Sequence, residues 1–380
     1  MDDLQIVEED AIFLKKMNHN SQLKIALITT FVLRLFYSGL GALSAPYLKL
    51  DQALIRSNDY TDQIMTRDAG WAYKLLGVWE RFDTLWYLHI ARHGYDRPES
   101  IVFYPLYPIL IRMCSYLFDR PLSGALLIST VASFFLFWGF QKLLAIDMPV
   151  ETVQRAMLIY AVWPASFTLF AGYPDSLMTA SIIWAIYAAR RGRWWASGVL
   201  GVFAGVSKAA GSLVIIPLAV IAWREGKWRA SPAALCLLAP LLFTLYITLA
   251  GHPPISEVYR RFWKTEIAFP LSTLWLSLSA KDLLVSINLL MLLLIFTPAL
   301  VKKIRPEYTL YSLAALILFL MKKTDPLLQS TSRYVLAVFP AFASVSIILK
   351  SRLVLPLVLA LLLGLNLLLL FAFFEWALVV

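Results

Sequence analysis

From Leu23 to Trp376 the chain is mostly a succession of apolar runs of roughly fourteen to twenty-five residues, broken by short charged loops. A helix of about twenty apolar residues is what it takes to cross a hydrocarbon layer about 30 Å thick. Of the 380 residues, 60% are hydrophobic and only 15% charged, whereas a soluble protein carries about 25% charged residues. That balance excludes a disordered chain, a nucleic-acid-binding domain and an ordinary soluble enzyme. The net charge of +10 comes from basic residues grouped in the short loops, so it reads as membrane topology and contact with anionic headgroups. Cys114 and Cys236, both in apolar stretches, match neither a disulfide framework nor a metal spacing. The acidic segment Met1–Asp10 is unlike a cleaved signal peptide.

The expected fold is all-α: a single polytopic domain over residues 1–380 with about eleven spans and its N-terminus cytoplasmic. Basic clusters at 15–24, 190–193, 224–229, 302–305 and 350–352 then all fall on the cytoplasmic side. Two longer polar segments, about 44–121 and 251–280, become external loops. Within the first, Phe82, Leu85, Trp86 and His89 have helical spacing, which predicts a helix lying at the membrane surface. Several spans of about fourteen residues are too short for the hydrocarbon core, at 1.5 Å per residue.

Four places carry residues suited to chemistry. Asp83, set among Phe82, Trp86 and Tyr87, is either a general base toward a hydroxyl or the cap of the surface helix. Glu80 is the rival acid, and His89 and His93 are the nearby imidazoles, not spaced as metal ligands. Asp175 is the only charge between Arg155 and Arg190; an acid there is functional, a helix cap, or both. Lys208 stands alone in the small-residue stretch Gly201–Gly211, facing an anion such as a lipid phosphate or reaching for headgroups. Arg333 begins a late span on the side where positive charge is scarce, as an anion ligand or an exposed loop charge.

Taken in order, these segments resemble the PIG-V type of mannosyltransferase. The first motif is Phe82-Asp83, Tyr87, Ile90-Ala91, Gly94-Tyr95 and then Phe103-Tyr104-Pro105-Leu106-Tyr107-Pro108. The second is Pro164-Ala165-Ser166, Phe170, Tyr173 and Asp175-Ser176-Leu177. Gly205 to Gly211 and Arg333-Tyr334 occupy two later motif positions. Phe82 stands where the family has tryptophan, Asp175 where it has glutamate and Lys208 where it has arginine. The resemblance implies a C-type membrane glycosyltransferase that moves a sugar, mannose in this family, from a polyprenyl- or dolichyl-phosphate donor. The acceptor would be a hydroxyl of a glycan, glycolipid or protein on the external or lumenal side, with inversion at the anomeric carbon. Asp83 would be the base, and Asp175, Lys208, Arg333, Tyr87, His89 and Tyr334 would bind substrate. One carboxylate suffices because a phosphate leaving group needs cations rather than an acid. No cofactor is required by that scheme, although a divalent metal is compatible with it. The protein would be multi-pass in a prokaryotic plasma membrane, as a relative of the eukaryotic enzymes, or in the endoplasmic reticulum. The competing classes are a lipid-linked glycan ligase or polymerase, which favours a long late loop, and a transporter, which favours broken helices at mid-membrane.

Overall fold

The computed structural model describes residues 19–48, 64–118 and 120–377. The acidic N-terminus, Lys15 and Lys16 lie outside them, as does the stretch 49–63. The chain is helical, with one small two-stranded ribbon among the described residues. The helices used below are α1 (His19–Ser44), α2 (Asp83–His93), α3 (Pro121–Leu144), α4 (Val150–Ala161), α5 (Asp175–Arg190), α6 (Trp194–Ser207), α7 (Leu238–Leu249), α8 (Ile255–Phe262), α9 (Leu283–Leu293), α10 (Pro306–Met321), α11 (Thr331–Ala337), α12 (Phe339–Ile348) and α13 (Val354–Phe374). Strand β1 (Thr265–Ile267) pairs antiparallel with β2 (Lys322–Thr324), Ile267 opposite Lys322.

Of the eleven apolar segments read from the sequence, five form helices long and apolar enough to cross a membrane: Asn20–Ser44, Pro121–Leu144, Trp228–Leu249, Leu283–Leu300 and Val354–Phe374. A sixth, α11 with α12, is bent by 88° at Val338. The long helices keep apolar faces exposed, such as Leu27, Phe31 and Leu35 on α1 and Leu357, Leu361 and Leu368 on α13. Faces of that size on a chain this apolar are suited to lipid rather than water.

The short segments have a different reason to exist. Helix α5 is buried along almost its whole length and packs against α3 and α6. A helix enclosed by protein has no lipid thickness to match. The segment 152–171 is not one helix: α4 stops at Ala161 and the chain re-forms as a 3₁₀ turn at Ser166–Phe170. A break at that depth is tolerated only if its polar groups find partners. Ser166 Oγ donates to the Ala161 carbonyl at 2.7 Å, and Asn366 Nδ2 donates to the Trp163 carbonyl at 2.7 Å. Trp163 Nε1 in turn donates to the Ser332 carbonyl at 2.8 Å, and Tyr160 Oη to that of Leu336 at 2.8 Å. The break therefore fixes α11, the element that carries Arg333.

The two long polar segments meet each other. Trp263, after α8, lies 5.3 Å from the Trp86 ring and 5.4 Å from Phe103, and its Nε1 donates to the Glu99 carbonyl. Ile101, Tyr104, Phe243, Ile247 and Val258 form a small second core under this contact. At the far end of the molecule, three of the basic clusters converge. Arg190, Arg224 and Arg305 share ion pairs with Asp147, Glu225 and Glu307. Helix α5 runs from Asp175 to Arg190, which at 1.5 Å per residue separates the two ends by about 24 Å.

Candidate active site

Helix α2 starts at Asp83, and the residue before it, Phe82, has φ 48° and ψ −122°. A bulky side chain at positive φ costs on the order of 1–3 kcal/mol and persists only where the surroundings hold it. The Phe82 ring packs on Phe373 at 5.7 Å and Trp376 at 5.5 Å. Arg81, fully buried, donates to the carbonyls of Phe374, Gly77 and Glu80 at 2.9–3.0 Å. This turn sets Asp83 as the first residue of the helix. Asp83 makes no capping bond; instead its Oδ2 accepts from Arg333 Nη1 at 2.7 Å.

Asp175 is also a first helical residue without a capping bond. Its buried Oδ1 accepts from Lys208 Nζ at 2.8 Å. Two glycines make that approach possible. A Cβ on Gly172 would lie 2.4 Å from Thr84 on α2, so only glycine lets the Tyr173–Asp175 turn press against that helix. A Cβ on Gly211 would lie 2.0 Å from the Ala204 carbonyl oxygen, where the chain doubles back past Lys208.

The two ion pairs stand at one cavity of about 960 Å³, lined among others by Asp83, Trp86, Tyr87, Lys208, Lys322, Arg333 and Tyr334. Lys208 Nζ and Arg333 Cζ lie 5.5 and 5.7 Å from the Tyr334 ring centroid. Asp175 stands behind Lys208 and is itself buried. The two pairs therefore meet at the Tyr334 ring on one wall of the cavity. Oδ2 of Asp175 and Nε of Arg333 are buried with no hydrogen-bond partner among the described residues. Orphaned buried polar atoms cost about 1–3 kcal/mol each, which makes this a site kept at the expense of stability. Burial pushes the Tyr87 hydroxyl well above the ordinary tyrosine range, reinforced by the Asp83 and Asp175 carboxylates, so it stays a neutral donor.

His89 is not among the residues lining the cavity. Its Nε2 bonds Asp96 Oδ1 at 2.7 Å, and its ring lies 4.8 Å from that of His93. Six residues of helix turn it about 120° away from Asp83, whereas Tyr87, four residues on, falls within about 40°. Glu80 also stays out of the cavity: it precedes the helix, and its Oε2 accepts the Met65 backbone N–H at 2.6 Å. Burial holds the Glu80 carboxyl above its ordinary range, with the Met65 N–H and Arg81 opposing that shift. Among the described residues no group of three or more His, Cys, Asp or Glu is arranged to hold a metal.

The cavity wall also uses residues that the motifs do not mark. Tyr259, Arg260 and Trp263 come from α8 and its end, Glu266 and Ile267 from β1, and Lys322 from β2. The only sequence hint of them is the amphipathic pattern of α8 and the charge run beginning at Lys322.

Apolar helices of spanning length around a network of buried ion pairs define a multi-pass helical membrane protein with a polar site at one end. Residues 53–225 match the family described as Mannosyltransferase (PIG-V), and over this segment the chain is similar to that family. GPI alpha-1,6-mannosyltransferase 2 of Cricetulus griseus is 34% identical over 139 residues, covering 33% of this chain and 28% of that protein. The Mus musculus protein of the same name is 32% identical over 138 residues, covering 33% and 28%. The Homo sapiens one is 32% identical over 143 residues, covering 34% and 29%. The alignments thus take in less than a third of the length of these relatives. No solved structure matches the chain. Asp83, Asp175 and Lys208 fall inside the matched segment; Lys322, Arg333 and Tyr334 lie beyond it.

Proposed function

We propose that the protein is an inverting mannosyltransferase that takes its sugar from a polyprenyl- or dolichyl-phosphate donor and gives it to a hydroxyl of a glycolipid. The observation that carries this reading is the pairing of Asp83 with Arg333 on the wall of a cavity large enough for a sugar and its phosphate. Arg333 engages Oδ2, and no bond to Oδ1 forms among the described residues, so Oδ1 is available to an acceptor hydroxyl. The hydroxyl oxygen attacks the anomeric carbon while Oδ1 takes its proton. The bond from that carbon to the phosphate oxygen breaks, and the phosphate leaves with the electron pair. Cations on the wall meet the charge that develops there. The PIG-V match and the similarity to GPI alpha-1,6-mannosyltransferase 2 support both the sugar and a glycolipid acceptor. The transport reading is less well supported, because the Asp175–Lys208 pair lies at an end of α5 rather than at its middle.

Membranes containing the protein, incubated with radiolabelled polyprenyl-phosphate mannose, should transfer label to a glycolipid. Label no higher than in membranes carrying Asp83→Asn would sink the reading.

We also take the cavity to open on the external or lumenal side, with the Arg190–Arg305 end cytoplasmic. The support is the gathering of three basic clusters at that end. Single cysteines at Ser256 and Glu99 should react with an impermeant maleimide in intact cells or right-side-out vesicles. One at Lys303 should react only after the membrane is opened. The reverse pattern inverts the orientation.

A further inference from the structure

Four cations line the cavity, and they are not equivalent. Lys208 is held by Asp175, and Arg333 by Asp83. Arg260 is exposed on α8 at the rim. Lys322 is half-buried and has no carboxylate partner among the described residues. Its Nζ donates to Tyr334 Oη at 2.6 Å and lies 5.0 Å and 5.7 Å from the ring centroids of Tyr334 and Tyr259. An ammonium has three N–H donors, and a phenol oxygen with two ring faces leaves its charge uncompensated. A second feature adjoins it. Ile267 sits opposite Lys322 in the ribbon, and Leu318, Phe319 and Met321 precede it along α10. All four line the cavity, and Ile267 and Leu318 remain exposed. A cation without a counter-ion beside an apolar track has the chemistry of a seat for a phosphate that carries a hydrocarbon chain.

We infer that Lys322, oriented by Tyr334, is the phosphate seat for an isoprenoid-linked substrate whose chain leaves over Ile267, Leu318 and Phe319. Lys208 and Arg333 then serve mainly to hold the two carboxylates. The inference rests on the reading of the protein as a lipid-phosphate-dependent transferase, but its binding test does not require turnover. The β1–β2 ribbon fixes Lys322 over the cavity, so the seat exists before substrate arrives.

The test uses the full-length protein in lipid nanodiscs and tritiated polyprenyl monophosphate as the probe. Lys322→Met keeps the apolar stem and removes the charge; it should weaken binding roughly ten- to hundredfold, as expected for a lost charge-assisted hydrogen bond. Lys322→Arg should stay within about threefold of the parent, since charge and donors are kept. Neutral polyprenol should bind the parent and Lys322→Met alike. Unlabelled polyprenyl monophosphate should displace the probe far better than inorganic phosphate does. Equal displacement by inorganic phosphate would assign the seat to a free anion and overturn the lipid-linked part. Undiminished binding by Lys322→Met, with loss in Lys208→Met instead, overturns the seat. Sugar transfer measured alongside separates the two ideas. A parent protein that binds through Lys322 but transfers nothing sinks the transferase reading and leaves the seat. One that transfers sugar while Lys322→Met binds normally does the opposite.

Discussion

Asp83→Asn should lower sugar transfer by roughly 10²–10⁴-fold while leaving donor binding within a few-fold of the parent. The substitution keeps the shape and an oxygen that can accept the Arg333 N–H seen at 2.7 Å. What it removes is the ability to take a proton. A loss of that size corresponds to about 3–5 kcal/mol in the barrier. Glu80→Gln is the control, because its carboxylate faces Met65 rather than the cavity. Asp175→Asn belongs between them, since its carboxylate holds Lys208 and does not itself line the cavity. Steady-state transfer with a labelled donor, run beside a donor-binding measurement, separates the three. Near-normal turnover in Asp83→Asn, with collapse in either of the others, would move the base elsewhere.

How far the sequence carried depends on whether a residue's partners are near it in the chain. Asp83 and Tyr87 share a helix face, four residues apart, so two residues close in the chain reach the same cavity. Lys208 and Arg333 stood out as isolated charges in apolar surroundings, and both line the cavity. Their carboxylate partners did not follow from spacing, because Arg333 lies 250 residues from Asp83 and Lys208 lies 33 from Asp175. His89, expected among the substrate-binding residues, lies off the cavity wall, because six residues of helix turn it from Asp83 and its Nε2 meets Asp96. The Phe82 turn had no signal at all, since nothing local favours positive φ for phenylalanine; Phe373, Trp376 and Arg81 hold it from outside. The ribbon that carries Lys322 has three residues per strand, too few for an alternating pattern to be seen. The same limit applies to the spans. Hydropathy marks apolar segments, but it does not separate α5, enclosed by protein, from α13, whose leucines are exposed.

At the opposite end of α5, Glu307→Gln should destabilise the fold by about 3 kcal/mol, the lower end of the range for breaking a buried ion pair. Glu307 is fully buried, and its Oε1 accepts from Arg305 Nε at 2.6 Å. Arg190 lies 3.6 Å from the same oxygen and Arg224 3.5 Å from the other. Arg190 is itself enclosed, paired through two nitrogens with Asp147 at 2.9 and 3.0 Å. Glutamine fills the same volume but leaves three guanidinium groups facing Asp147 and Glu225 alone. Burial decides the magnitude: an uncompensated charge near Arg190 cannot be screened by water, because that side chain is only 7% exposed. Arg224→Met removes a partner from the same carboxylate, yet its side chain is 47% exposed, so the cost should stay under about 1 kcal/mol. Thermal unfolding of the two variants in one detergent compares them directly, with the larger shift expected for Glu307→Gln. Transfer by whatever Glu307→Gln protein remains folded should keep its KM, because the network lies about 24 Å along α5 from Asp175. Equal unfolding midpoints for the two variants would show that the network is solvated and holds nothing together.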